Sequence, residues 1–175
     1  MAQHIDTIYT GRVITLNLER VTLPNGHETE LEIVHHPGGV AIVAQDQQQR
    51  LCLLRQYRHA AGGWLWELPA GKIEPDEPPS VTAERELAEE AGVYAEVLEP
   101  IGRTISSPGV FTEVIHLFFA RELTLTGHAH EDGEVIEVHW IDLPRVREMI
   151  SAGQIYDAKT LAGIFLAQEI MTDSD

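Results

Sequence analysis

The 175-residue chain carries one cysteine, Cys52, and only 12 lysines and arginines against 28 aspartates and glutamates. A single thiol excludes an intrachain disulfide, and with it the stapled design of small secreted domains. A net charge of −16 argues against DNA or RNA as the main partner, because nucleic-acid binders need a basic surface that releases counterions. No stretch approaches the roughly 20 apolar residues of a membrane span. The start, Met1-Ala2-Gln3-His4-Ile5-Asp6, lacks the basic and apolar regions of a signal peptide, so no membrane partner and a cytoplasmic home are expected. Internal repeats and low-complexity segments are also missing. The 43% hydrophobic content is enough for an ordinary core in one domain of this length. Cys52 lies in the apolar run Leu51-Cys52-Leu53-Leu54, which suits a buried structural thiol rather than a nucleophile.

The chain is organised around residues 71 to 93. Pro78 and Pro79 sit where a first helical turn tolerates proline, good helix formers follow, and Gly92 supplies a left-handed stop. These signals predict a helix from about Pro79 to Ala91. At 100° per residue, Glu86 and Glu90 project from one face with Glu89 beside them, while Ala83, Leu87 and Ala91 line another. Like charges at that spacing weaken a bare helix by about a few tenths of a kcal/mol per pair. A divalent cation is the natural stabiliser, and oxygen-only ligands favour magnesium or manganese over zinc. A Glu-rich helix alone is more often a solvated face; the surrounding pattern is what makes this one specific.

Gly71, Glu77, Arg85, Glu86, Leu87, Glu89, Glu90, Gly92 and Val93 fill, in order and without departure, the pattern G-x5-E-x7-R-E-U-x-E-E-x-G-U, where U is a bulky aliphatic residue. This stretch resembles the signature of the Nudix hydrolases, which cut a diphosphate linked to another moiety with the help of divalent metal. The resemblance implies an α/β Nudix fold, mixed β-sheets sandwiched between α-helices. It implies metal ligation and catalysis by Glu86, Glu89 and Glu90, and a structural role for Gly71, Glu77, Arg85 and Gly92 in bracing the loop-helix unit. In so acidic a chain, a pyrophosphate needs bound cations and a few placed arginines to invert the field locally.

Upstream, residues 11 to 36 read as two alternating strands around the turn Pro24-Asn25-Gly26. Such a hairpin cannot stand alone and must pack on the main domain or on a second subunit. Pro37-Gly38-Gly39 marks a joint, dividing an N-terminal β subdomain, 1–38, from a catalytic domain, 39–175. Val40–Ala44 and Leu51–Tyr57 are predicted strands buried on both faces, with Gln45–Gln49 turning between them. Arg55 and Arg58 stand at the end of the second strand, just before the metal loop, as candidate phosphate contacts; solvated strand-end arginines are the alternative.

Beyond the helix, Tyr94–Ile105 reads as extended chain broken at Glu99-Pro100, Val114–Ala120 as a strand, and Val135–Ile141 as another. Pro108 lies sixteen positions after Gly92 in the setting S-P-G-x-x-x-E. That spacing, "LPAGKIE" and "RQYR" resemble the ADP-ribose pyrophosphatase branch of the family. The resemblance carries a metal-binding carbonyl onto Ala70 and substrate contacts onto Arg58 and Glu113. It also implies an acidic loop at Glu131-Asp132-Gly133-Glu134, where Glu134 or Asp132 would activate or position water. Asp142 and Asp157 are candidate N-caps of two closing helices, the first opened by Pro144 and stopped at Gly153. His128-x-His130 and His35-His36 carry little weight without a third ligand.

The reaction expected is Mg2+-dependent hydrolysis (Mn2+ being possible) of a nucleoside diphosphate sugar, ADP-ribose first, to AMP and ribose 5-phosphate. Another such sugar, for example GDP-mannose, is the alternative within the class. A nucleotide sensor that binds without cutting is the alternative outside it, disfavoured because every box carboxylate is retained. A homodimer exchanging its N-terminal hairpins is expected from the hairpin's unburied face and from the resemblance.

Overall fold

The structure, a computed structural model, describes residues 2–127 and 135–172. Among the described residues, those from Gly39 onward hold two sheets. In one, β4 (Gly39–Ala44) runs parallel to β9 (Val114–Leu125), flanked by β7 (Ala70–Lys72) and β8 (Val93–Ile105), both antiparallel, in the order β7-β4-β9-β8. The other is antiparallel, with β5 (Arg50–Arg58) between β10 (Ile136–Asp142) and β6 (Gly63–Glu67). Three helices close the fold: α1 (Pro79–Ala91), α2 (Leu143–Ser151) and α3 (Ala158–Thr172).

Strand periodicity divides the core in two. Val40, Ile42 and Ala44 of β4, with Cys52 and Leu54 of β5, pack with Ala83, Leu87 and Ala91 of α1. The intervening Ala41, Val43, Leu51 and Leu53 pack with Val146 and Met149 of α2 and Ile164 and Ala167 of α3. Successive side chains of a strand point to opposite faces, so strands with helices on both sides must be apolar throughout. β4 is, with all six residues buried. Each fully buried Leu, Ile or Val in such a position contributes roughly 1.5–3 kcal/mol of burial free energy.

α1 begins and ends where the sequence places it, with Pro79 at its first turn and Gly92 at φ 66°, whose N–H reaches the carbonyls of Ala88 and Leu87. Asp157 caps α3 as expected: its Oδ2 accepts from the Thr160 amide at 3.0 Å and the Thr160 hydroxyl at 2.7 Å. Asp142 does not cap α2 with its side chain, although it occupies the N-cap position. β8 runs through Pro100 with a register shift between Pro100 and Gly102 instead of breaking. β9 extends past Ala120 to Leu125, and the short strands β6 and β7 were not anticipated.

The N-terminal unit is a three-stranded antiparallel sheet, β1 (Ala2–Thr10), β2 (Thr15–Thr22) and β3 (Glu28–His35), with β2 central. The expected hairpin is there, with Gly26 at φ 83° in its turn, and β1 adds an unexpected outer strand. Two backbone hydrogen bonds join β3 to the segment before β9: Val34 N–H to Val110 O at 2.7 Å and Thr112 N–H to Val34 O at 3.0 Å. Ile5, Ile8, Tyr9 and Val13 remain about half exposed, at 48–57%, so part of this unit's apolar surface faces solvent.

Candidate active site

β7 and α1 form the floor of a cleft of about 590 Å³. Arg85, on α1, is the hub that fixes the loop between them. Its Nε and Nη2 donate to the two oxygens of Glu77, each at 3.1 Å, and Nη2 also reaches the Lys72 carbonyl at 3.3 Å. Its Nη1 donates to Glu86 at 2.8 Å and Glu89 at 3.1 Å. The guanidinium, helped by the Thr82 hydroxyl and the Glu74 amide, pulls the Glu77 carboxyl down to about 2. Arg85 itself is shifted up, chiefly by its bond to Glu77, and stays charged at any pH the protein meets. Glu77 and Arg85, the two residues expected to brace the loop-helix unit, are thus paired with each other.

Glycine at position 71 is required by packing. A Cβ there would overlap the Glu86 carboxylate, so only hydrogen lets that side chain lie across β7. Glu86 and Glu89 line the cleft together with Ala70, Gly71 and Arg85. Glu90 behaves differently: it is 2% exposed, and its Oε2 accepts the Ala70 amide at 2.7 Å. It therefore ties α1 to the strand that presents Ala70. Of the three carboxylates expected to share one stripe, Glu86 and Glu89 line the cleft and Glu90 does not. Arg85 lies between Glu86 and Glu89, Glu90 is turned into the interior, and among the described residues no three acidic, histidine or cysteine side chains gather at metal-ligand spacing. Cys52 is buried; burial, then the Glu90 carboxylate, push its thiol far above the usual range, which keeps it from acting as a nucleophile.

Arg58 and Glu113 both reach the cleft. Arg58 is held by Glu67, to which its Nη2 donates at 2.9 Å and its Nε at 3.3 Å. Glu113 accepts the Ser106 hydroxyl, and its Oε1 is 3.3 Å from Nδ1 of His36. Arg55 is not brought into the cleft: its Nη1 pairs with Glu137 at 3.3 Å and its guanidinium lies over the Trp64 ring at 5.0 Å. Asp132 and Glu134 lie outside the described residues, as do His128 and His130.

The sequence reading missed several lining residues. His36, dismissed as a stray histidine, sits at the cleft rim, where Nδ1 accepts the Gly38 amide at 3.0 Å. Lys159 and Asp157 contribute from the start of α3; the sequence marks Asp157 only as a cap and gives Lys159 no role. Lys159 is one of only 12 basic residues, which was the available signal.

The NUDIX domain model matches residues 35–162, and the chain belongs to the Nudix family. It is 38% identical over 161 residues to an ADP-ribose pyrophosphatase of Bacillus subtilis, covering 91% of this chain and 87% of that one. It is 37% identical over 161 residues to a methanol dehydrogenase activator of Bacillus methanolicus, with the same coverage. Among solved structures it resembles the crystal structure of an ADP compounds hydrolase, at a TM-score of 0.85 and 20% identity over 99% of this chain and 94% of that one.

Nudix hydrolases generally need a divalent metal. The residues fit one in kind, since Glu86 and Glu89 offer hard oxygen donors at the cleft. They already draw a cation between them, the Arg85 guanidinium.

Proposed function

We propose that this protein hydrolyses the pyrophosphate bond of a nucleoside diphosphate sugar, ADP-ribose first, to AMP and ribose 5-phosphate, using Mg2+, with Mn2+ as a substitute. The carrying observation is a single cleft lined by the carboxylates of Glu86 and Glu89 and by the cations of Arg58 and Lys159. That pairing suits a diphosphate, whose charge needs cations from the protein in a chain of net charge −16. The similarity to the Bacillus subtilis ADP-ribose pyrophosphatase supports ADP-ribose as the first substrate to try.

Glu86, Glu89, Glu90 and the Ala70 carbonyl would hold the metal, which when bound supplies charge neutralisation and a more acidic water. Gly71 and Arg85 keep the donors in place, and Arg58 orients the diphosphate. Glu134, with Asp132 as the alternative, would take a proton from the attacking water.

The exposed Ile5, Ile8, Tyr9 and Val13 support a homodimer in which each N-terminal sheet covers its partner and walls the partner's cleft. Deleting residues 1–36 should then abolish both dimerisation and activity; a fully active monomer by light scattering would defeat this part of the reading. Substrate class is tested by assaying nucleoside diphosphate sugars, GDP-mannose included, beside dinucleoside polyphosphates and nucleoside triphosphates with Mg2+, identifying the products. Preference for ADP-ribose with release of AMP is expected, and cleavage of triphosphates alone would refute the reading.

A further inference from the structure

Glu67, at the end of β6, is an acid in an apolar run, and its side chain is only 3% exposed. A buried carboxylate is tolerated only when paired. It has two cations: Arg58 from β5, and Lys159 from the first turn of α3, whose Nζ donates to Oε2 at 3.1 Å. Lys159 Nζ also donates to Asp157 at 3.0 Å. The cluster is anchored further, because the Thr160 hydroxyl that donates to Asp157 also accepts the Leu68 amide at 2.9 Å. Strands β5 and β6 and helix α3 are thus locked together beside the cleft.

Lys159 is more than a neutralising partner in this arrangement. Arg58 alone already gives Glu67 a two-pronged partner, so one cation would satisfy the buried charge. An ammonium has three protons, and two are spent on Glu67 and Asp157. Lys159 lines the cleft with 14% of its side chain exposed, leaving the third proton for whatever the cleft holds. Held by two carboxylates, the side chain cannot swing away, which makes it a fixed point charge beside the guanidinium of Arg58.

We propose that Lys159 is a second phosphate-contacting residue of the substrate site, held at the cleft wall by Glu67 and Asp157 so that it and Arg58 grip the diphosphate together. This rests on the diphosphate reading of the cleft given above. The guanidinium offers a planar fork and the ammonium a compact charge, so the two can engage different oxygens of one diphosphate.

The test compares KM and kcat for ADP-ribose with Mg2+ in the wild type, Lys159→Met, Lys159→Arg, Glu67→Gln and the double variant Glu67→Gln/Lys159→Met. Lys159→Met should raise KM about tenfold or more with kcat within about threefold, as loss of one charge-assisted contact made equally in ground and transition states requires. Lys159→Arg should recover most of that loss. The decisive comparison is on the Glu67→Gln background, where the buried Glu67 charge that Lys159 could neutralise is gone and only its pair with Asp157 remains. There the same KM rise is expected, and its disappearance would show that Lys159 serves only Glu67. An unchanged KM in Lys159→Met, or a fall in kcat alone, would also overturn the proposal. For variants too slow for a KM, calorimetric titration with ADP-ribose in the presence of chelator gives the same comparison. A wild type that does not cleave ADP-ribose would remove the substrate reading and this inference with it, whereas an active wild type with insensitive variants removes this inference alone.

Discussion

Gly71→Ala is a one-carbon perturbation whose effect follows from the geometry of β7 and α1. The added Cβ would overlap the Glu86 carboxylate, whose atoms are its three nearest neighbours. Carbon and oxygen atoms settle about 3.5 Å apart, so the carboxylate has to retreat by about 1.7 Å to relieve the overlap. Glu86 can do so by rotating its side chain, and the fold should lose little stability, about 1 kcal/mol or less. Catalysis should suffer far more, because a displacement of about 1 Å at a catalytic group can cost about 100-fold in rate. The expected result is therefore kcat for ADP-ribose down about 100-fold or more, with near-native circular dichroism and thermal midpoint. Retention of kcat within about threefold would refute the reasoning, since Glu86 would then be tolerating displacement from the site.

Arg58→Ala should raise KM for ADP-ribose by about tenfold or more through loss of a charge-assisted phosphate contact, whereas Arg55→Ala, whose side chain is occupied by Glu137 and Trp64, should change it little; equal effects in kinetic assays would contradict this assignment. Glu134→Gln should depress kcat by about 100-fold while leaving the Mg2+ concentration dependence unchanged, because an amide cannot take a proton; sensitivity of Asp132→Asn alone would transfer the role to that residue. Glu77 contributes a pH-dependent part of the stability: its folded carboxyl, near 2, lies below its unfolded value, so the contribution is complete above about pH 4.5 and is lost as pH falls toward 2. Denaturation of wild type and Glu77→Gln between pH 2 and 6 should show a difference that shrinks on acidification, and a pH-independent gap would count against the Arg85 pairing as its source.

Local signals were the legible ones. The proline start and glycine stop of α1, the alternation of β2 and β3, and the unbroken apolar runs of β4 and β5 are each encoded within a few residues, and each appears in the fold. β1 was not legible because its apolar residues, Ile5, Ile8 and Tyr9, do not keep period two; the register shift between Thr7 and Tyr9 accounts for this. β7 is three residues long and exists through pairing with β4. In the site, the carboxylates of α1 follow from helical spacing, but the inward turn of Glu90 depends on Ala70, twenty residues away. The Glu67–Lys159 pair spans 92 residues, and no window of sequence could reveal that the first turn of α3 abuts the end of β6.

If the carboxylates of α1 drive pyrophosphate hydrolysis, the most direct measurement sets wild type beside Glu86→Gln and Glu90→Gln, with ADP-ribose and saturating Mg2+ and with products identified by chromatography. Wild type should release AMP and ribose 5-phosphate, and each variant should fall by about 100-fold or more in kcat through the loss of several kcal/mol of transition-state stabilisation. Near-wild-type turnover by both folded variants would contradict the account.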